Sequence, residues 1–178
     1  MLNRNFVLAV MSTLNGGVNK IPLKKTDGNY FGVGVNSSGA NILNAIKSVS
    51  NNKIPLPNSI CSTFSFGSSN QPEDYDDYNV ISPIDMTNFS VTNSSSAAVN
   101  NWNDIVLSQL WTYTGTDTLE IKEIGLFASV NESVSGQYYG RTVMFARTVL
   151  KESDKIICTP NTSFTVTFKI GGSIVVTQ

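Results

Sequence analysis

The sequence predicts a mainly β chain: an antiparallel β-sandwich, jelly-roll or Greek-key like, with one or two short helices near its start. Three observations carry that expectation. From Ile60 onward apolar residues recur with a period of two, which lays them on one face of a strand. Gly, Asn and Pro punctuate these runs as turn residues. The runs are many and of medium length, as two antiparallel sheets packed face to face require.

Taken in order, Phe6, Val7, Val10, Met11 and Leu14 recur at intervals of three and four, so residues 3–14 are expected to form an amphipathic helix. Asn3 or Asn5 can cap its start, and Asn15, Gly16 and Gly17 stop it, giving a helical segment over residues 1–17. The apolar run behind Arg4 is shaped like a short signal peptide. It is brief and no small-residue cleavage site follows, so it reads as part of the fold. "NKIPLKKTDGNYFGVGV" reads as a β-hairpin, with its turn at Asp27 and Gly28 and a returning strand through Tyr30, Phe31, Val33 and Val35. Pro22 places the first of these strands at an edge. "GANILNAIKSVSNN" is a second helix candidate with Ile42, Leu43, Ala45, Ile46 and Val49 inward, ended by Pro55 and Pro57.

"ICSTFSF" sets Ile60, Phe64 and Phe66 on one face and Thr63 and Ser65 on the other. "DIVLSQLWTYT" alternates through Ile105, Leu107, Trp111 and Tyr113. "LEIKEIGLFASV" starts in phase with Leu119 and Ile121 and shifts around Gly125, as a bulge would make it. "RTVMFARTVL" turns Val143, Phe145 and Val149 inward, and "TSFTVTFKI" does so with Phe164, Val166, Phe168 and Ile170. Gly115, Gly136 and Asn161 mark turns. In the tail, residues 171–178, Ile174, Val175 and Val176 resume β-forming character after two glycines. They are expected to add a strand to a sheet, the chain's own or a neighbouring subunit's. No repeat or linker divides the chain, so residues 1–178 read as one domain.

Composition narrows the function classes. Charged residues make up 14% of the chain, against roughly 25% in an ordinary domain, and the net charge is −1. Basic residues are scattered, so nucleic acid is not an expected partner. There is no histidine, which removes the usual neutral-pH base and the commonest metal ligand. Cys61 and Cys158 lie far apart, in strand-like stretches and in no metal-ligand spacing; both read most simply as buried fillers, with a disulfide between adjacent strands as the alternative. No stretch is apolar for long enough to span a membrane as a helix.

Most of the candidate chemistry lies in "FGSSNQPEDYDDYNVISPI". Glu73, Asp74, Asp76 and Asp77 would suit a hard cation if the backbone gathered them, but the run lacks the turn Gly and distal Glu of an EF-hand loop. Paired-carboxylate hydrolysis would need two acids facing each other across a cleft. The favoured reading is a solvated loop with Tyr75 and Tyr78 as its anchors. Lys122 and Glu123 read as a solvent-facing pair on a bulged strand. No serine stands in G-x-S-x-G, and the glycines of "YFGVGVNSSG" precede no Lys-Ser or Lys-Thr pair. No catalytic, cofactor-binding or metal-binding residue is assigned.

Several stretches, in order, carry a resemblance: "MLNRNF", "FGSSNQPEDYDDYNVISPI", "IKEIGLFAS" and "FARTVLKESDKIICTPNTSFTVTFKI". Together they resemble a family of tailed-bacteriophage virion proteins found in gut podovirus-like and crAss-like phages. The matching positions are Gly67, Pro72, Asp77, Tyr78, Pro83 and Ile84, then Glu123 to Phe127, Ala146 to Leu150 and Thr165 to Ile170. Cys158, Thr159 and Pro160 depart from the family's Pro-Gly-type turn. The resemblance implies a non-enzymatic structural protein of the virion (tail, neck, connector or head fibre), assembled in the bacterial host cytoplasm, with Tyr78 and Ile84 anchoring the loop to the core. Its implied partners are itself and other virion proteins, with no cofactor and no membrane. Phe6, Val10, Met11, Leu14, Ile174, Val175 and Val176 are candidate subunit contacts, although the helix's apolar face reads first as docking on its own domain and only second on a neighbour. A receptor- or carbohydrate-binding module is the first alternative, with Tyr138 and Tyr139 in a Gly-flanked loop as its best ligand contacts, ahead of Trp102 and Trp111. A carboxylate-dependent glycan hydrolase is the second.

Overall fold

The structure, a computed structural model, describes residues 1–8, 21–33, 64–92, 98–100, 104–134, 137–170 and 175–177. The expected second helix, Cys61, Trp102, Val10, Met11, Leu14 and Ile174 lie outside the described residues. The chain is mainly β, with antiparallel pairing throughout the described strands.

After a helical turn over residues 4–8, the strands are β1 (Ile21–Lys24), β2 (Tyr30–Val33), β3 (Phe64–Gly67), β4 (Phe89–Thr92), β5 (Ala98–Asn100), β6 (Asp104–Tyr113), β7 (Leu119–Ile121), β8 (Glu123–Val134), β9 (Gln137–Val149), β10 (Ile156–Cys158), β11 (Ser163–Ile170) and β12 (Val175–Thr177). One sheet has the order β12-β11-β6-β4, with β5 also on β6; the facing sheet is β3-β8-β9. The β1–β2 hairpin forms around Gly28, whose φ of 85° is left-handed and suits glycine.

Ring contacts join the two larger sheets. Phe66 of β3 lies with its ring centroid 4.9 Å from Trp111 of β6, 5.3 Å from Phe164 of β11 and 5.4 Å from Phe89 of β4. Burial of these aromatics, with aliphatic residues such as Ile124, Leu126 and Val166, holds the sandwich together.

The topology is a nested hairpin. Pairing runs from Ile105↔Ile170 to Thr112↔Ser163, continues at Leu119↔Cys158 to Ile121↔Ile156, and finishes at Glu123↔Val149 to Val134↔Gln137. The same two limbs of chain therefore stay together while crossing from one sheet to the other. Such a folded-over long hairpin is consistent with the sandwich, jelly-roll or Greek-key like, expected from the sequence. The crossing points carry their own turn chemistry: Asn161 has φ 68°, and the Tyr113 hydroxyl donates to Asp117 O at 2.7 Å. Gly115 lies under the Tyr113 ring, where a Cβ would overlap it.

Two expectations need correction. The stretch from Leu119 to Val130 is two strands, broken at Lys122, whose N–H donates to Gly67 O while its own carbonyl accepts from Leu150. The bulge falls between Leu126 and Phe127, just past Gly125. Nor do all strands have a single buried face. All four residues of β3 and residues 143–147 of β9 are buried, because a further layer covers the outside of their sheet. The tail strand β12 pairs with this chain's own β11, through Thr165↔Thr177 to Thr167↔Val175.

Candidate functional site

The covering layer is the acidic stretch itself. Its ends meet where Gly67 bridges Pro83, Ser68 N donates to Ser82 O at 2.9 Å and Ile84 N donates to Phe66 O at 2.9 Å. Closed at its base, the segment is an Ω-type loop laid over the outer face of β3-β8-β9. That face carries Gly67, Gly125, Glu123 and Arg147, alternating with the inward set Phe64, Phe66, Ile124 and Leu126.

Arg147 is the hub. Only 1% of it is exposed, and it holds Glu123 through Nε at 2.6 Å and Asp77 through Nη1 at 2.9 Å. Nη1 also donates to Pro72 O at 3.1 Å and Nη2 to Gln71 O at 2.9 Å. Glu123, 0% exposed, accepts in addition the N–H groups of Ile81 at 3.1 Å and Ser82 at 2.9 Å. One guanidinium thus fastens the first half of the loop and one carboxylate the second. Burial pulls the Arg147 pKa down, but Glu123 and Asp77 outweigh it and hold the pKa above its ordinary value. Glu123 is the chief correction to the sequence reading, which faced it to solvent. Lys122 does lie partly exposed, in an ion pair with Glu120 at 3.1 Å. Glu120 also meets Lys155 at 3.0 Å, and Lys155 first and Lys122 second hold it below the usual carboxylate range.

The other acids are likewise engaged. Glu73 accepts Val149 N at 3.0 Å and pairs with the Met1 ammonium at 2.8 Å. Asp74 accepts Asp76 N at 2.8 Å, and Asp77 accepts Asp74 N at 2.8 Å. Asp76 pairs with Arg4 at 2.6 Å. Among the described residues, no group of three or more His, Cys, Asp or Glu is arranged to hold a metal ion.

The first residues of the chain complete the clasp. Leu2 bridges Ala146 on the edge of β9, flanked by Asn3 N to Phe145 O at 3.0 Å and Arg147 N to Met1 O at 3.1 Å. Asn3 and Asn5 are 1% and 3% exposed. Asn3 Nδ2 donates to Asp77 O and Met144 O, both at 2.8 Å; Asn5 Nδ2 donates to Lys24 O at 2.8 Å while its Oδ1 accepts Lys24 N at 2.8 Å. Asn3 Oδ1 also caps the helical turn by accepting Phe6 N at 3.2 Å. The sequence reading gave these amides a capping role alone.

The candidate loop anchors fall as follows. Tyr75 is 41% exposed, with the Arg4 guanidinium 5.5 Å from its ring centroid. Tyr78 is half-buried, with the Lys24 ammonium 4.0 Å above its ring and Gly28 against its edge. Ile84 is half-buried against the core. Among the candidate subunit contacts, Phe6 packs edge-on against Phe145 at 5.8 Å, and Val175 and Val176 lie in β12. Tyr138 and Tyr139 are not in a loop: they pair with Ser133 and Glu132 inside the β8–β9 hairpin, because the strand-forming pattern continues to Val134↔Gln137. Trp111 is a core residue.

Arg147 was absent from the sequence-derived candidates, although a signal existed. A charged residue in the middle of the apolar run "VMFARTV" has to find a partner when both faces of its strand are covered. No protein-family model, curated protein or solved structure matches the chain.

Proposed function

We propose that this chain is a structural component of a tailed-phage virion, in the tail, neck or a head fibre, working by assembly with copies of itself and with other virion proteins. The observation that carries the reading is where three of the four resembling stretches meet. Asp77 of the acidic stretch, Glu123 of "EIGLF" and Arg147 of "FARTVL" are the partners of one buried ion-pair clasp. Residues in the stretches that resemble virion proteins thus fasten a loop to a sheet, which suits a load-carrying shape. The weakly charged surface supports the same reading, since neighbours of one kind repel each other little. Labelling purified particles with antibody against this chain, alongside mass spectrometry of the same particles, tests it. Multiple copies per particle are expected; absence from the particle overturns the reading.

A receptor- or carbohydrate-binding role is the second reading, favoured by one observation. Tyr30 is 60% exposed and Tyr75 41% exposed, beside Lys24 and Arg4 respectively, and exposed rings flanked by polar groups suit stacking on sugars. Glycan-array binding lost in Tyr30→Ala or Tyr75→Ala supports it, and an array blank for the unmodified chain removes it.

A further inference from the structure

Residues 1–8 of this chain fill a slot between β9, the acidic loop and β1. Its backbone supplies strand pairing to residues 1–3 and, through Tyr75 O, a 2.8 Å acceptor to Arg4 N. Its specificity comes from two places that admit a buried primary amide, filled by Asn3 and Asn5, and from the apolar seat of Phe6 on Phe145. Strand addition with side-chain pockets is a general mode of peptide recognition. The slot residues that contact this segment, Lys24, Glu73, Tyr75, Asp76, Asp77 and Met144–Arg147, lie elsewhere along the chain, Lys24 at 19 residues from Asn5 and the others much farther. Every contact is therefore indifferent to whether the segment belongs to the same copy.

Resting on the assembly reading above, we infer that in the assembled protein this slot takes residues 1–8 from a second copy of the chain. Exchange keeps each hydrogen bond and ion pair, so the free-energy difference between closed and exchanged forms reduces to connection entropy and effective concentration. Assembly raises that concentration. Residues 9–20 join the segment to β1, and a chain of that length reaches at most about 40 Å when extended.

The bridge Leu2↔Ala146 provides the test. It is a non-hydrogen-bonded antiparallel pair, because the flanking bonds run 147 to 1 and 3 to 145. Such pairs hold their Cα atoms about 4.5 Å apart, within disulfide reach. A full-length chain carrying Leu2→Cys and a differently tagged one carrying Ala146→Cys are assembled together under mild oxidation. Neither can close the 2–146 bond alone. The expected result is a species of doubled mass bearing both tags, with the 2–146 link mapped by mass spectrometry. It is lost on reduction and lost when the Leu2→Cys chain also carries Asn3→Ala and Asn5→Ala. The inference is overturned if mixed chains give no such link while a single chain bearing both substitutions closes it internally. Solution mass in the same samples separates the readings: assembled but unlinked chains overturn exchange alone, and monomeric chains overturn assembly as well.

Discussion

Arg147 and Glu123 show how much rests on single side chains here. Removing one partner of a buried, hydrogen-bonded ion pair leaves an uncompensated charge and costs about 3–5 kcal/mol. Arg147→Met strands Glu123 in that way and frees the loop at Gln71, Pro72 and Asp77 together. At roughly 2–4 °C per kcal/mol for a chain of this size, a thermal melt should fall by about 6–20 °C. Gly67→Ala is expected to act on the same pair from the opposite strand, since a Cβ there would overlap the Glu123 carboxylate. Overpacking of this kind costs about 1–3 kcal/mol, measurable as a lowered urea midpoint. Cys158 sets a pH dependence. Burial pushes its thiol from 9.0 up to about 11, so the folded chain keeps a proton that the unfolded chain releases. Its contribution is full below pH 9 and is lost as pH rises towards 11, at about 1.4 kcal/mol per unit. Denaturant midpoints across that window should fall in the native chain, with this component absent from Cys158→Ala. At this scale the sequence was legible where a residue type has one use, such as glycine in the Asp27–Gly28 turn. It was silent where a charge is buried, because burial of Glu123 depends on a loop more than forty residues earlier, as its bond to Ile81 N shows.

Among the elements, β11 was readable because Phe164, Val166 and Phe168 are buried and the residues between them are not. β3 and β9 broke that rule: a strand covered on both sides has no polar face to set its period. The break at Lys122 was hidden for a related reason, since the residues on either side both suit a strand and only the exchange of partners from β10 to β9 ends one and begins the next. The strap at residues 1–8 shows the reverse. Its helical spacing was visible, whereas its first residues pair as a strand on β9 and shield that edge. The double substitution Asn3→Ala and Asn5→Ala deletes amides that bond to Met144 and Lys24 backbone, leaving buried acceptors unpaired at about 1–3 kcal/mol each. Amide exchange of Arg147 and Lys24 should accelerate selectively, while the β6–β11 ladder stays protected.

For the molecule as a whole, the alternation of apolar residues was enough to specify a sandwich. Which strands pair was not legible, because nesting brings Ile105 beside Ile170 through contacts no local pattern encodes. The outcome is a body whose acidic-loop carboxylates are engaged by its own backbone, Arg147, Arg4 and the Met1 ammonium. Such a body is suited to holding a shape among neighbours. Light scattering coupled to size-exclusion chromatography on the full-length chain measures that most directly. A discrete mass that is a multiple of the single chain's, persisting on dilution, is the predicted result; one chain's mass at every concentration tested would contradict assembly as its mode of action.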